Sequence, residues 1–187
     1  MIPSDHFVRV YNEIFKFLER RGPDHLARYH QRIAKKQCGT LLELFRKRGI
    51  PGMYDYWSRI RVEENCGMKL VCNGEDSMLL DMSSCPSLSK VLDNDGGPSL
   101  HYCDHCPGWV LPLIDQAGFY CVYNMISRTE PVCQLHIFRC RKNAETCRRT
   151  LVAEYGSDVV VTNLDWHPDG QQPGDSSSTS LNDKVRL

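Results

Sequence analysis

Two histidines and two cysteines fall within the run His101-Tyr-Cys103-Asp-His105-Cys106-Pro107, and Cys85-Pro86 stands about twenty residues upstream. Side chains of these types placed so closely can bind a metal, exchange thiols or attack an electrophilic carbon. The two Cys-Pro steps, Cys85-Pro86-Ser87 and Cys106-Pro107-Gly108, add a second signal. Proline is favoured at the first position of a helix, so each cysteine is expected at or just before a helix start. There the exposed N–H groups and the positive dipole end would stabilise a thiolate, lower its pKa and speed its alkylation. With His105 to take up the proton, Cys85, Cys106 and His105 are the candidate catalytic residues. Both helix starts are expected to open into one pocket walled by Trp57, Trp109 and Phe119. Trp109 is the candidate substrate-binding wall, and Arg128 could clamp a substrate carboxylate bidentately.

The same residues can be read as a metal site. Cys103-x-x-Cys106 has the spacing of a zinc knuckle or of half a zinc ribbon, but no second Cys-x-x-Cys closes it. Cys85 with His101 or His105 would complete the set, so the candidate ligands are Cys85, His101, Cys103, His105 and Cys106. Three protein ligands plus water would make an open, catalytic zinc. An iron–sulfur cluster on Cys72, Cys85, Cys103 and Cys106 stands behind zinc. Thioredoxin-like exchange would need a βαβ context that the pattern does not supply. Cys38, Cys66, Cys121, Cys133, Cys140 and Cys147 have no partner spacing and read as structural thiols. His136 reads as a hydrogen-bonded core histidine, and Glu63-Glu64 as a solvated helix end.

The elements that must position these residues are legible in the hydrophobic periodicity. Phe7, Val10, Tyr11, Ile14, Phe17 and Leu18 recur at helical spacing up to Gly22-Pro23. A second helix runs from Pro23 to Gly49 with a kink expected at Gly39, and Pro51 opens a third that carries Met53, Trp57 and Ile60. The period then changes to two. Met68–Cys72 and Ser77–Met82 read as a hairpin across Asn73-Gly74, since both turn residues tolerate positive φ. Gly118–Ile126 and Val132–Arg139 form a later strand pair, joined by a polar loop that holds Arg128. Short helices fit Pro86–Leu92, Pro107–Ala117 and Asn143–Tyr155, and Val159–Val161 suits an edge strand. These elements make a single α+β domain over residues 1–166, N-terminal helices packed on an antiparallel β-sheet. The polar tail 167–187 reads as disordered.

Composition sets the outer limits. The 187 residues carry 23 Lys+Arg against 23 Asp+Glu, a net charge of zero, which argues against a nucleic-acid or anionic-membrane partner. No apolar run reaches the ~20 residues that span a bilayer. Met1–His6 shows no charged segment leading into an apolar one, and ten cysteines then fit a reducing, cytoplasmic setting. The expected partner is a small-molecule substrate.

The helical opening, the Gly49-Ile-Pro-Gly-Met-Tyr-Asp-Tyr-Trp57 segment, the Cys85-Pro86-Ser87 step and the Tyr102-Cys-Asp-His-Cys106 run resemble the L-2-amino-thiazoline-4-carboxylic acid hydrolase-like proteins. The likeness spans roughly residues 7 to 140, the extent of a single domain. It implies a small bacterial α+β protein and hydrolytic opening of a cyclic C=N–S centre. The expected function is therefore hydrolysis of a small C–N or C–S bonded compound, heterocycles included, through a thiolate nucleophile or zinc-activated water. The competing reading is a non-catalytic or redox protein that binds zinc or an iron–sulfur cluster with the same Cys/His set.

Overall fold

The computed structural model describes residues 4–37, 39–93 and 96–167. Its elements run α1 (Ser4–Glu19), α2 (Pro23–Gln37), α3 (Thr40–Glu63), β1 (Gly67–Asn73), β2 (Ser77–Ser84) and α4 (Pro86–Leu92). They continue with α5 (His105–Gln116), β3 (Tyr120–Asn124), β4 (Cys133–Phe138), α6 (Arg141–Tyr155) and β5 (Val160–Thr162). A 3-10 turn, Tyr102–Asp104, leads directly into α5. Among the described residues no helix is long and apolar enough to cross a membrane.

The five strands form one antiparallel sheet in the order β1-β2-β4-β3-β5. The expected hairpin closes at Asn73-Gly74, where Gly74 takes φ 55° and Asn73 pairs with Ser77. All five residues of β3 are buried, because both of its faces are covered. Cys121 and Tyr123 join Leu135 and Ile137 against α3 and α5, while Tyr120 and Val122 join Ala144 and Leu151 of α6. Period-two alternation thus sorts β3 and β4 side chains onto two separate cores.

The N-terminal helices are layered. α3 and α5 lie against the strands, whereas α1 and α2 pack mainly on α4, α5 and each other. Phe15, Leu26, Leu88, Val91 and Tyr102 form a distinct apolar cluster in that outer layer. Gly39 separates two helices outright, since α2 ends at Gln37 and α3 begins at Thr40, where a kink was expected. The kink belongs to Gly49, with φ 56° and ψ −142° inside α3. A Cβ there would lie 3.3 Å from Arg139 Nη2 and 3.4 Å from the Phe119 ring, so both the backbone and the space call for glycine.

Beyond the last strand the chain is held by polar contacts. Asn163 is fully buried; its Oδ1 accepts the Cys121 N–H at 2.8 Å, and its Nδ2 donates to Phe119 O at 2.9 Å and Asp115 Oδ1 at 3.0 Å. His167, buried, lies with Nε2 2.6 Å from the same Asp115 oxygen. Order therefore reaches His167, the residue where the polar tail was expected to start; residues 168–187 lie outside the described residues. Asn163→Leu strands three buried partners, and we expect it to lower unfolding free energy by roughly 3 kcal/mol in urea titrations. A loss under about 0.5 kcal/mol, the scale of an ordinary surface change, would show the network to be incidental.

Candidate functional site

Four half-buried thiols line one small cavity of about 30 Å³: Cys85, Cys103, Cys106 and Cys133. Leu88, Met125 and Val132 supply its apolar walls, and Tyr102, Tyr123 and Ser127 its hydroxyls. Each sulfur arrives on a different piece of local structure. Cys85 is the N-cap of α4, with Pro86 next, and its Sγ accepts the Leu88 N–H at 3.5 Å. Cys103 sits in the 3-10 turn, which Tyr102 anchors through a 2.7 Å hydrogen bond between its hydroxyl and Ser87 Oγ. Cys106 is the second residue of α5, so it lies inside the helix rather than before it; Asp104 holds the N-cap position. Cys133 opens β4, on the face that carries Leu135 and Ile137, and its Sγ is 3.5 Å from the Tyr123 hydroxyl.

Convergence of Cys85 and Cys106 on one cavity matches the expectation for the two Cys-Pro steps. The expected electrostatics do not hold. Burial is the largest influence on every thiol: it pushes Cys85 and Cys106 up to about 11 and Cys103 and Cys133 up to about 12. The neighbouring sulfurs push Cys85, Cys103 and Cys133 the same way. A helix N-terminus contributes about 0.3–1 kcal/mol, less than the 1.36 kcal/mol of a single pKa unit, so desolvation wins. These are protonated, quiet thiols. In native protein at pH 7.5, iodoacetamide should label exposed Cys72 and Cys140 first and the four cavity thiols at least about tenfold more slowly, read by peptide mass mapping. Rapid labelling of Cys85 or Cys106 would restore the activated-thiolate reading.

His105 is buried behind Cys106. Its Nδ1 meets the Tyr102 carbonyl oxygen and its Nε2 lies 3.3 Å from Cys106 Sγ. Burial lowers its pKa to about 4, so the ring is neutral and carries one proton. A carbonyl can only accept, which places that proton on Nδ1 and leaves Nε2 to accept the Cys106 S–H.

The other expected residues are dispersed. His101 is exposed and does not line the thiol cavity; its Nδ1 lies 2.8 Å from Asp104 Oδ2. Arg128 lies beside it, its Nη1 2.5 Å from Asp104 Oδ1, so its charge is already countered. Trp109 sits behind the site, 4.7 Å ring to ring from His105 and 5.9 Å from Tyr11. Trp57 and Phe119 belong to the main core, and none of these three rings walls the thiol cavity. His136 faces α6, not the thiols, and its buried Nε2 lacks the expected hydrogen bond among the described residues. Cys72 is exposed on β1, so Cys133 takes the place it was given among four thiols. Cys38 lies outside the described residues. As arranged, no group of three or more His, Cys, Asp or Glu side chains among the described residues is set to hold a metal ion.

Sequence reasoning missed Cys133, Tyr123 and His30. Cys133 carried a usable signal, since alternation already put it on the apolar face of its strand. His30 carried none beyond its helical register: it is fully buried on α2 against Phe15 and Trp109. A larger cavity of about 620 Å³ lies next to the thiols, lined by His30, His101, Asp104 and Arg128 among others, and Met125 lines both spaces. Compared with known proteins, the chain matches no family model, no curated protein and no solved structure.

Proposed function

We propose that this protein is a small-molecule hydrolase that opens a C–N or C–S bond, heterocycles included, through Cys106 and His105. The observation that carries the reading is the fixed tautomer: Nδ1–H is spent on the Tyr102 carbonyl, and Nε2 faces the Cys106 thiol at 3.3 Å. Nucleophile, base and orienting group then stand in the order that thiol catalysis needs. Because the resting pair is a thiol and a neutral imidazole, the proton moves to Nε2 as the Sγ–carbon bond forms. His105 then returns that proton to the leaving nitrogen or sulfur. Water, deprotonated by the same ring, cleaves the Sγ–carbon bond and regenerates the thiol. The hydroxyls of Tyr102, Tyr123 and Ser127 line the same cavity as Cys106 and are the donors available to charge developing on the substrate.

The test is a panel of thiazolines, cyclic amidines and small amides, followed by mass spectrometry for turnover and for a covalent adduct. Cys106→Ala and His105→Gln should each lower turnover about 10²–10⁴-fold, the usual worth of a nucleophile or general base. Turnover that persists in Cys106→Ala would end this reading.

A second reading is favoured by the four converging thiols: a soft-metal protein that holds zinc, or behind it an iron–sulfur cluster, on Cys85, Cys103, Cys106 and Cys133. As they stand these sulfurs are not set to hold an ion, so they would have to close in on it and lose their protons. Metal analysis of protein purified without chelator, with its visible spectrum, separates the two.

A further inference from the structure

The neutral charge of the whole chain conceals an uneven distribution. Residues 1–48 carry 11 Lys and Arg against 5 Asp and Glu, a net +6, and the rest of the chain carries the compensating −6. Part of that excess forms a row on α2. Arg28, Arg32 and Lys35 follow one another at three- and four-residue spacing and are exposed, on the face opposite buried Leu26, His30 and Ala34. None of the three is in an ion pair among the described residues. The neighbouring helix adds a different feature. Val8 and Phe15 turn one face of α1 inward, yet Phe7, Val10, Ile14 and Phe17 make a second apolar stripe on the outside. Phe7 is 56% exposed, Val10 53% and Phe17 48%. Single surface hydrophobes are ordinary, whereas a continuous stripe of three turns marks a contact surface. Basic side chains frame it. Arg9 lines the same shallow cavity as Val10, Ile14 and Phe17, and the Arg21 guanidinium stands 4.6 Å from the centre of the Phe17 ring. Glu13, the carboxylate at that cavity, is countered by Lys16 at 2.9 Å.

We propose that α1 and α2, which pack on each other, form a docking face for an anionic lipid surface. Phe7, Val10 and Phe17 enter the boundary between headgroups and acyl chains, while Arg9, Arg21 and the α2 row meet lipid phosphates and carboxylates. The Arg and Lys stems suit that boundary, since their methylenes lie along apolar surface and their charges reach the headgroups. Val10 and Ile14 decide for lipid over nucleic acid. Hydrocarbon takes up aliphatic side chains, whereas stacking on bases uses aromatic rings. The protein lies on such a surface and does not cross it, as no helix among the described residues is long and apolar enough to do so. The face is independent of the thiol chemistry, and it revises the expectation that whole-chain neutrality argues against an anionic membrane.

The full-length protein would be sedimented with vesicles of phosphatidylcholine alone and of phosphatidylcholine mixed with phosphatidylserine. Binding to the mixed vesicles is expected, at least about tenfold weaker to the neutral ones, and it should fall as salt is raised. Phe17→Ala should weaken binding about fivefold through its lost apolar area. Arg28→Gln and Arg32→Gln should each weaken it about fivefold, as one basic charge near an anionic surface implies. Both arginines are exposed, so these variants read binding even if Phe17→Ala disturbs α1. Equal binding to the two vesicles, binding to neither, or unchanged affinity in the double arginine variant would overturn the proposal. So would tighter binding to a labelled single-stranded oligonucleotide than to the mixed vesicles, or a dimer in solution that Phe17→Ala dissociates. Cys106→Ala is expected to bind vesicles normally, which separates failure of this face from failure of the thiol chemistry.

Discussion

Urea denaturation repeated from pH 4 to pH 11 is expected to give a stability plateau between about pH 6.5 and 9 that falls away on both sides. The acid limb belongs mainly to His30 and His105, both held to about 4 by burial, with His136 also lowered by burial. Their unfolded-state value is near 6.5, so below that pH the unfolded chain binds protons that the folded chain refuses. Stability is complete above 6.5 and is lost as pH falls toward 4, by roughly 3 kcal/mol for each ring. The alkaline limb has the opposite origin. Cys85, Cys103, Cys106 and Cys133 keep their protons up to about 11 or 12 when folded, whereas in the unfolded chain they release them near 9, and burial raises Cys66, Cys121 and Cys147 in the same direction. Stability is therefore complete below 9 and declines as pH rises through the folded values, again by about 3 kcal/mol for each thiol. A domain of this size holds about 5–15 kcal/mol in all, so the four together should unfold it before their folded pKa values are reached. Cys133→Val should flatten the alkaline limb and leave the acid limb alone. An identical alkaline limb in that variant would contradict burial as its cause.

Phe15→Ala should be among the most damaging single substitutions, at about 3–5 kcal/mol. Phe15 is fully buried, and its ring lies 5.3 Å from His30, 5.6 Å from His105, 5.7 Å from Tyr102 and 6.1 Å from Tyr29. It joins α1 to α2, to the 3-10 turn and to α5 at one point. Water admitted there would also raise both histidine pKa values toward 6.5, shrinking the acid limb described above. Phe17→Ala, two residues on and 48% exposed, is the matched comparison and should cost under about 1 kcal/mol. Equal losses in the two variants would mean that α1 is not held through Phe15.

The fold was largely readable because its signals are local. Asn73-Gly74 marks a hairpin, Gly22 a helix end, and the alternation from Cys133 to Phe138 a strand with one apolar face. Cys85 also followed its local rule and caps a helix. Cys106 did not, because the 3-10 turn at Tyr102 starts the helix early and leaves Pro107 inside its first turn, where proline is tolerated. Cys133 and Tyr123 join the site only through strand pairing, which no spacing between them announces. The thiol pKa values were misjudged for a related reason. A helix terminus is visible in sequence, whereas the degree of desolvation around a sulfur is a property of the assembled interior.

The sheet order has a kinetic consequence. β1 with β2 and β3 with β4 are each neighbours along the chain, whereas β2 and β4 meet across about fifty intervening residues, Met82 opposite Cys133. Loop-closure entropy makes such a distant pairing slow relative to the local ones. That same ladder brings Cys133 to the end of β2, where Cys85 follows. The thiol cavity therefore cannot form before that distant pairing does. Until that pairing forms, Cys133 stands apart from Cys85 and the four thiols do not share one site.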